Sequence, residues 1–124
     1  MRFYLHGTVS PEAVAALTRH GHAAHPAKEL AEADAGPPTE PRELLAALTK
    51  KQWVLLTADA QLVHAIYDQR LAFPGGLIVL LLDNAVSQAA AVDRLFARYP
   101  RLTPKRLYTV TPSRVKIRQL PGTA

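Results

Sequence analysis

The 124-residue chain contains no cysteine. That excludes a disulfide framework and any thiolate metal site, and it suits a reducing compartment. Nor is there an apolar run long enough for a signal peptide or a membrane span, so the chain reads as soluble and cytoplasmic. Aromatics are few, at 6% of residues. Acids are missing from one whole region: all ten Asp and Glu lie between Glu12 and Asp93. From Arg94 onward there are eight Lys or Arg and no acid. No internal repeat and no low-complexity segment is present. At this length a single domain, residues 1–124, is expected, long enough to bury a real core.

What the chain does contain is organised around Trp53-Val54-Leu55-Leu56-Thr57-Ala58-Asp59. The uninterrupted apolar run predicts a strand buried on both faces of a parallel sheet, here over residues 53–56. Asp59 follows where a helical pattern begins. It reads as the helix N-cap, a role worth about 1 kcal/mol. It also falls at the carboxyl end of a strand, where open α/β sheets bind ligands. The two roles can coexist.

The remaining elements follow in order. Residues 2–5 predict a first strand, with His6-Gly7-Thr8 as a turn. Ser10-Pro11-Glu12 opens a helix: Ser caps, Pro takes the first position, Glu suits the positive end of the dipole. Gly21 ends it. His22 to His25 read as a short strand. The spacing of His20, His22 and His25 fits a metal site poorly. Residues 27–41 form a loop, with a helical turn near Glu29–Ala33, and are the expected mobile segment. Pro41 opens a second helix with Leu44, Leu45 and Leu48 as its core face. A third helix carries Leu62, Val63 and Ile66. Leu77 to Leu82 are a second buried strand. Ser87 opens a fourth helix bearing Val92, Leu95, Phe96 and Tyr99. Leu107–Thr111 and Arg114–Arg118 are two further strands, the last with a half-buried alternation of period two.

Strands alternating with helices give an α/β class: a three-layer fold with a mostly parallel central sheet, helices on both faces and a C-terminal antiparallel edge hairpin. The acid-free C-terminal third suggests an acidic partner, RNA or an acidic protein. The candidate nucleic-acid contacts are Arg94, Arg98, Arg101, Lys105, Arg106, Arg114, Lys116 and Arg118. Tyr99 and Tyr108 interleave with them, too few for base stacking, so contact with phosphates is the expected mode. A basic stripe also protects an edge strand from aggregation, which is the structural alternative.

Several motifs resemble a compact family of bacterial PIN-like proteins related to VapC toxins. The opening strand followed by His6-Gly7-Thr8-Val9-Ser10-Pro11 is similar to that family's strand, Asp-Glu-Asn, apolar residue, Ser and Pro. Gly21-His22 resembles the Gly-His after its first helix. Leu55-Leu56-Thr57-Ala58-Asp59 resembles its strand ending in Thr-x-Asp-x-Asp-Phe. Gly76 to Leu80 and Thr111 to Arg118 resemble its later strands. The resemblance implies a PIN-like three-layer fold and, in the family's usual form, a metal-dependent ribonuclease in which strand-end carboxylates hold Mg²⁺ or Mn²⁺. Here His6 replaces the first acid, and Gln61 and Leu62 replace the second acid and the Phe. Asp59 remains, and Glu40 (with Glu43 the next acid along) is nearest to the helix-2 acid. The resemblance therefore implies a catalytically impaired protein that binds RNA or a protein partner such as an antitoxin. The alternative is an active endoribonuclease, a toxin of a toxin–antitoxin pair, using Asp59 and Glu40, with His6 joining them as a ligand for Mn²⁺ or Zn²⁺. A homodimer is also implied as plausible.

Overall fold

A computed structural model describes residues 1–30, 36, 38–82 and 84–121. The chain order is β1 (Arg2–His6), α1 (Pro11–Arg19), β2 (Ala23–His25), a 3₁₀ turn (Ala27–Leu30), α2 (Pro41–Lys51), β3 (Val54–Thr57), α3 (Ala60–Asp68), β4 (Leu77–Leu80), α4 (Ala85–Arg98), β5 (Arg106–Val110) and β6 (Val115–Gln119). One six-stranded sheet has the order β2-β1-β3-β4-β5-β6. All neighbours are parallel except the β5–β6 pair, which is antiparallel. Among the described residues, no helix is long and apolar enough to cross a membrane.

Period two along the strands divides the core between two faces. Phe3, Val54, Leu56, Ile78, Leu80, Tyr108 and Val110 pack with α1 and α4. Tyr4, Leu55, Leu77, Val79 and Leu107 pack with α2, α3 and Leu30 of the 3₁₀ turn. Continuous apolar runs in β3 and β4 thus reflect burial on both sides: every residue of both strands is buried. Burial of each such large aliphatic side chain contributes about 1.5–3 kcal/mol relative to exposure.

Local signals set most boundaries. Ser10 accepts the Ala13 N–H at 3.1 Å. Gly21, at φ +83°, ends α1 as the His22 N–H bonds Leu17 O and its own N–H bonds Thr18 O. Several boundaries differ from expectation. β1 reaches His6, because His6 is in register with Thr57 of β3. β3 begins at Val54, since the Trp53 N–H closes α2 onto Leu48 O. β4 stops at Leu80; Leu81 is 42% exposed, although its N–H still bonds Val110 O. α4 starts at Ala85 rather than Ser87, with Asn84 Oδ1 accepting the Ser87 N–H at 2.8 Å. β5 and β6 each sit one residue away from the expected ranges. β6 is also less covered than its alternation implied, Ile117 being 40% exposed. The expected turn near Glu29–Ala33 is a 3₁₀ turn ending at Leu30, and residues 31–35 lie outside the described residues.

Candidate functional site at the strand ends

The strand order reverses at β1. The chain leaves it toward β2 on one side and toward β3, β4 and β5 on the other. The carboxyl ends of β1 and β3 therefore flank the crevice where open α/β sheets bind ligands. His6 ends β1 and Thr57 ends β3, side by side in register. Asp59 follows two residues later.

Thr57 joins the three. Its side chain is fully buried. The Asp59 N–H donates to Thr57 Oγ1 at 2.9 Å, and His6 Nδ1 lies 2.9 Å from the same oxygen. In the neutral Nε2–H tautomer the Thr57 hydroxyl donates to Nδ1. In the cation Nδ1–H donates to the hydroxyl oxygen instead. Burial lowers the His6 pKa below its ordinary value of 6.5, against the pull of the Asp59 charge. The Ala58 N–H donates to His6 O at 3.3 Å, closing the two strand ends together.

Asp59 is the N-cap of α3, and its Oδ1 accepts the Gln61 N–H at 2.9 Å. Gly7 has φ +74°, and a Cβ there would stand 3.4 Å from Asp59 Cβ. Glycine is thus favoured by conformation, while the space beside Asp59 and Thr57 would hold a Cβ in van der Waals contact. The loop is held from the far side by Gln88, a buried side chain on α4. Gln88 Oε1 accepts the Ser10 N–H at 2.8 Å, and its Nε2 donates to Thr8 O and Leu82 O at 3.0 and 3.2 Å. Sequence reasoning passed over Gln88, yet a signal existed: it stands four and seven residues before Val92 and Leu95, on the apolar stripe.

The structure brings His6 and Asp59 together. Glu40 is the N-cap of α2, is exposed and makes no capping bond with its side chain. Among the described residues, no three His, Cys, Asp or Glu side chains form a group that could hold a metal ion. A hard divalent cation takes several oxygen ligands. Among the described residues, the donors at the crevice are one carboxylate with an oxygen already accepting a backbone N–H, and one imidazole with a nitrogen already facing Thr57. Among the described residues, this donor set alone offers too few oxygens to suit Mg²⁺ or Mn²⁺. Three of the other four histidines are separately engaged: His20 with Asp93 at 2.9 Å, His22 with the terminal ammonium at 3.3 Å, and His25 with Glu29 at 3.2 Å.

The basic candidates lie elsewhere. Arg94 braces the hairpin by donating to Thr111 O and Pro112 O. Arg98 lies 5.5 Å over the Tyr99 ring. Arg101, Lys105, Arg114, Lys116 and Arg118 are exposed, and Arg106 is half-buried. Arg118 stacks 4.4 Å above Tyr67, whose hydroxyl donates to Gln119 O at 2.7 Å. Burial raises the Tyr67 pKa and Arg118 opposes it, so the hydroxyl remains a donor. A groove of about 350 Å³ runs between α3 and the outer strands, past His64, Tyr67, Val79, Thr109 and Arg118. β6 stands three strand spacings from β3, about 14 Å. The cations and the His6–Asp59 crevice are thus distinct regions.

Comparison with protein-family models finds no match, and comparison with curated proteins finds none either.

Proposed function

We propose that this chain is a PIN-like protein that binds RNA through its C-terminal basic surface and does not cleave it. The observation that carries the reading is the donor set at the crevice, where among the described residues a single nearby carboxylate caps α3 and the adjacent imidazole faces Thr57. Metal-assisted phosphodiester hydrolysis needs several oxygen ligands to hold the cation, activate water and offset phosphate charge. The motifs from Leu55 to Asp59 and from Thr111 to Arg118 support the family assignment. The acid-free stretch after Asp93 supports a polyanionic ligand, held by phosphate contact rather than by base stacking.

The test uses labelled single-stranded RNA in the presence of Mn²⁺, with the parent, Asp59→Asn and the double charge reversal Arg114→Glu/Lys116→Glu. Parent and Asp59→Asn should retain RNA equally and leave it intact. With about four phosphates engaged, log affinity should fall with log salt at a slope of about −3. The double reversal should abolish retention. Mn²⁺-dependent cleavage that vanishes in Asp59→Asn would overturn the reading in favour of an active endoribonuclease.

A further inference from the structure

Among the described residues, β6 is the outer strand of the sheet, with β5 as its one strand neighbour. The ladder fixes which of its backbone groups face outward. The Thr111 N–H bonds Arg114 O and the Leu120 N–H bonds Lys105 O. Hydrogen-bonded pairs alternate along an antiparallel ladder. In this register, Arg114, Lys116, Arg118 and Leu120 therefore direct their backbone groups to β5. Val115, Ile117 and Gln119 turn theirs away from the sheet. Gln119 O is occupied by the Tyr67 hydroxyl. Val115 and Ile117 each keep an outward N–H and C=O, with no partner among the described residues.

Side chains add a second pattern to this edge. Val115 and Ile117 stand opposite Val110 and Tyr108, on the α1/α4 face. Lys116 and Arg118 stand opposite Thr109 and Leu107, on the other face. Ile117 is 40% exposed, an apolar side chain left open on the edge. We infer that β6 is a docking edge for an extended acidic peptide segment of a partner protein, which adds as a seventh strand. Its apolar residues would lie beside Val115 and Ile117, and its alternate Asp or Glu residues beside Lys116 and Arg118.

Charge selects this occupant. A second copy pairing through β6 would set Lys116 and Arg118 against the same cations on the same face, and like charges directly opposite destabilise a pair. The cations that keep copies apart admit an acidic strand. RNA could occupy the cations but has no use for the outward amide ladder or for Ile117. The inference goes beyond RNA binding and does not depend on it, although both ligands would share Lys116 and Arg118.

The experiment measures fluorescence anisotropy of a short labelled peptide alternating valine and glutamate, with the full chain and without RNA. Ile117→Pro removes one outward N–H and keeps the β5 ladder and every cation, because proline is tolerated where a strand's N–H faces outward. Peptide affinity should fall about tenfold or more in this variant while RNA retention is unchanged. The parent protein should show the same loss toward a peptide N-methylated at its pairing amides, which needs no variant to fold. A peptide of equal composition with its glutamates clustered should bind far more weakly. Equal binding of the clustered or N-methylated peptide would overturn the inference by reducing it to charge attraction, as would no binding of the alternating peptide. Failure of RNA retention alone overturns the RNA reading and leaves this one standing.

Discussion

Replacing Thr57 by Val tests whether the strand-end site is held by hydrogen bonds or by packing. Valine has the shape of threonine without the hydroxyl. Thr57 is fully buried, and its Oγ1 accepts the Asp59 N–H and contacts His6 Nδ1, each at 2.9 Å. The substitution leaves a backbone donor and a ring nitrogen without their partner. A typical bond contributes about 1 kcal/mol net, and a stranded buried group costs about 1–3 kcal/mol. Asp59 is half-buried, so its N–H regains some water. The expected loss is therefore about 2 kcal/mol, which for a chain of this length lowers Tm by roughly 8 °C. Thr57→Ser keeps the hydroxyl and deletes one buried methyl, at about 1 kcal/mol. Urea unfolding should rank parent, Ser, then Val. Valine as stable as the parent, or more stable than serine, would refute the hydrogen-bonded account. Long-range ¹⁵N–¹H NMR gives a second readout, since His6 in the Val variant loses the contact that distinguishes its two nitrogens.

Other expectations follow from the same geometry. Gln88→Leu strands the Ser10 N–H and the Thr8 and Leu82 carbonyls, so it should cost about 2–4 kcal/mol; amide exchange should accelerate first at Ser10. Gly7→Ala forces a side chain to φ +74° against Asp59 Cβ, and about 1–2 kcal/mol should be lost in urea unfolding. Burial lowers the pKa of His6 and of His22, the latter also facing the terminal ammonium and His20. Charging either ring is then harder in the folded chain than in the unfolded one. Stability should be steady above the ordinary value of 6.5 and fall as pH drops from there toward the lowered folded values. Imidazole titration by NMR checks the sign: a midpoint above 6.5 for either ring contradicts it.

Sequence was most informative where one residue's chemistry fixes local geometry. Ser10-Pro11-Glu12 and Gly21 marked the ends of α1, and Asp59 was readable as a cap. The unbroken apolar runs of β3 and β4 were readable as doubly covered strands. Asn84 was missed because Val86, 77% exposed, breaks the apolar stripe at the start of α4. Thr57 could be placed at a strand end, but not its bond to His6, which depends on strand order. Ile117 shows the limit most directly. Period two tells which residues share a face and says nothing about whether a helix layer covers that face.

The crevice where β1 and β3 diverge is the usual ligand position in such sheets, and here its polar groups point at one another. Thr57 is taken by the Asp59 N–H and His6, Asp59 by the Gln61 N–H, and Gly7 crosses close above them. A site built to receive a polyanion would leave cations or a metal-binding carboxylate cluster turned outward. Exposed cations instead line the outer edge at β6, with the outward amides of Val115 and Ile117 between Arg114, Lys116 and Arg118. Among the described residues, exposed positive charge therefore sits at the sheet's outer edge and not at its switch point. Variants at His6, Thr57 or Asp59 should therefore change stability and leave ligand retention alone, whereas variants in β6 should do the reverse. A joint loss of both properties from either set would break this separation.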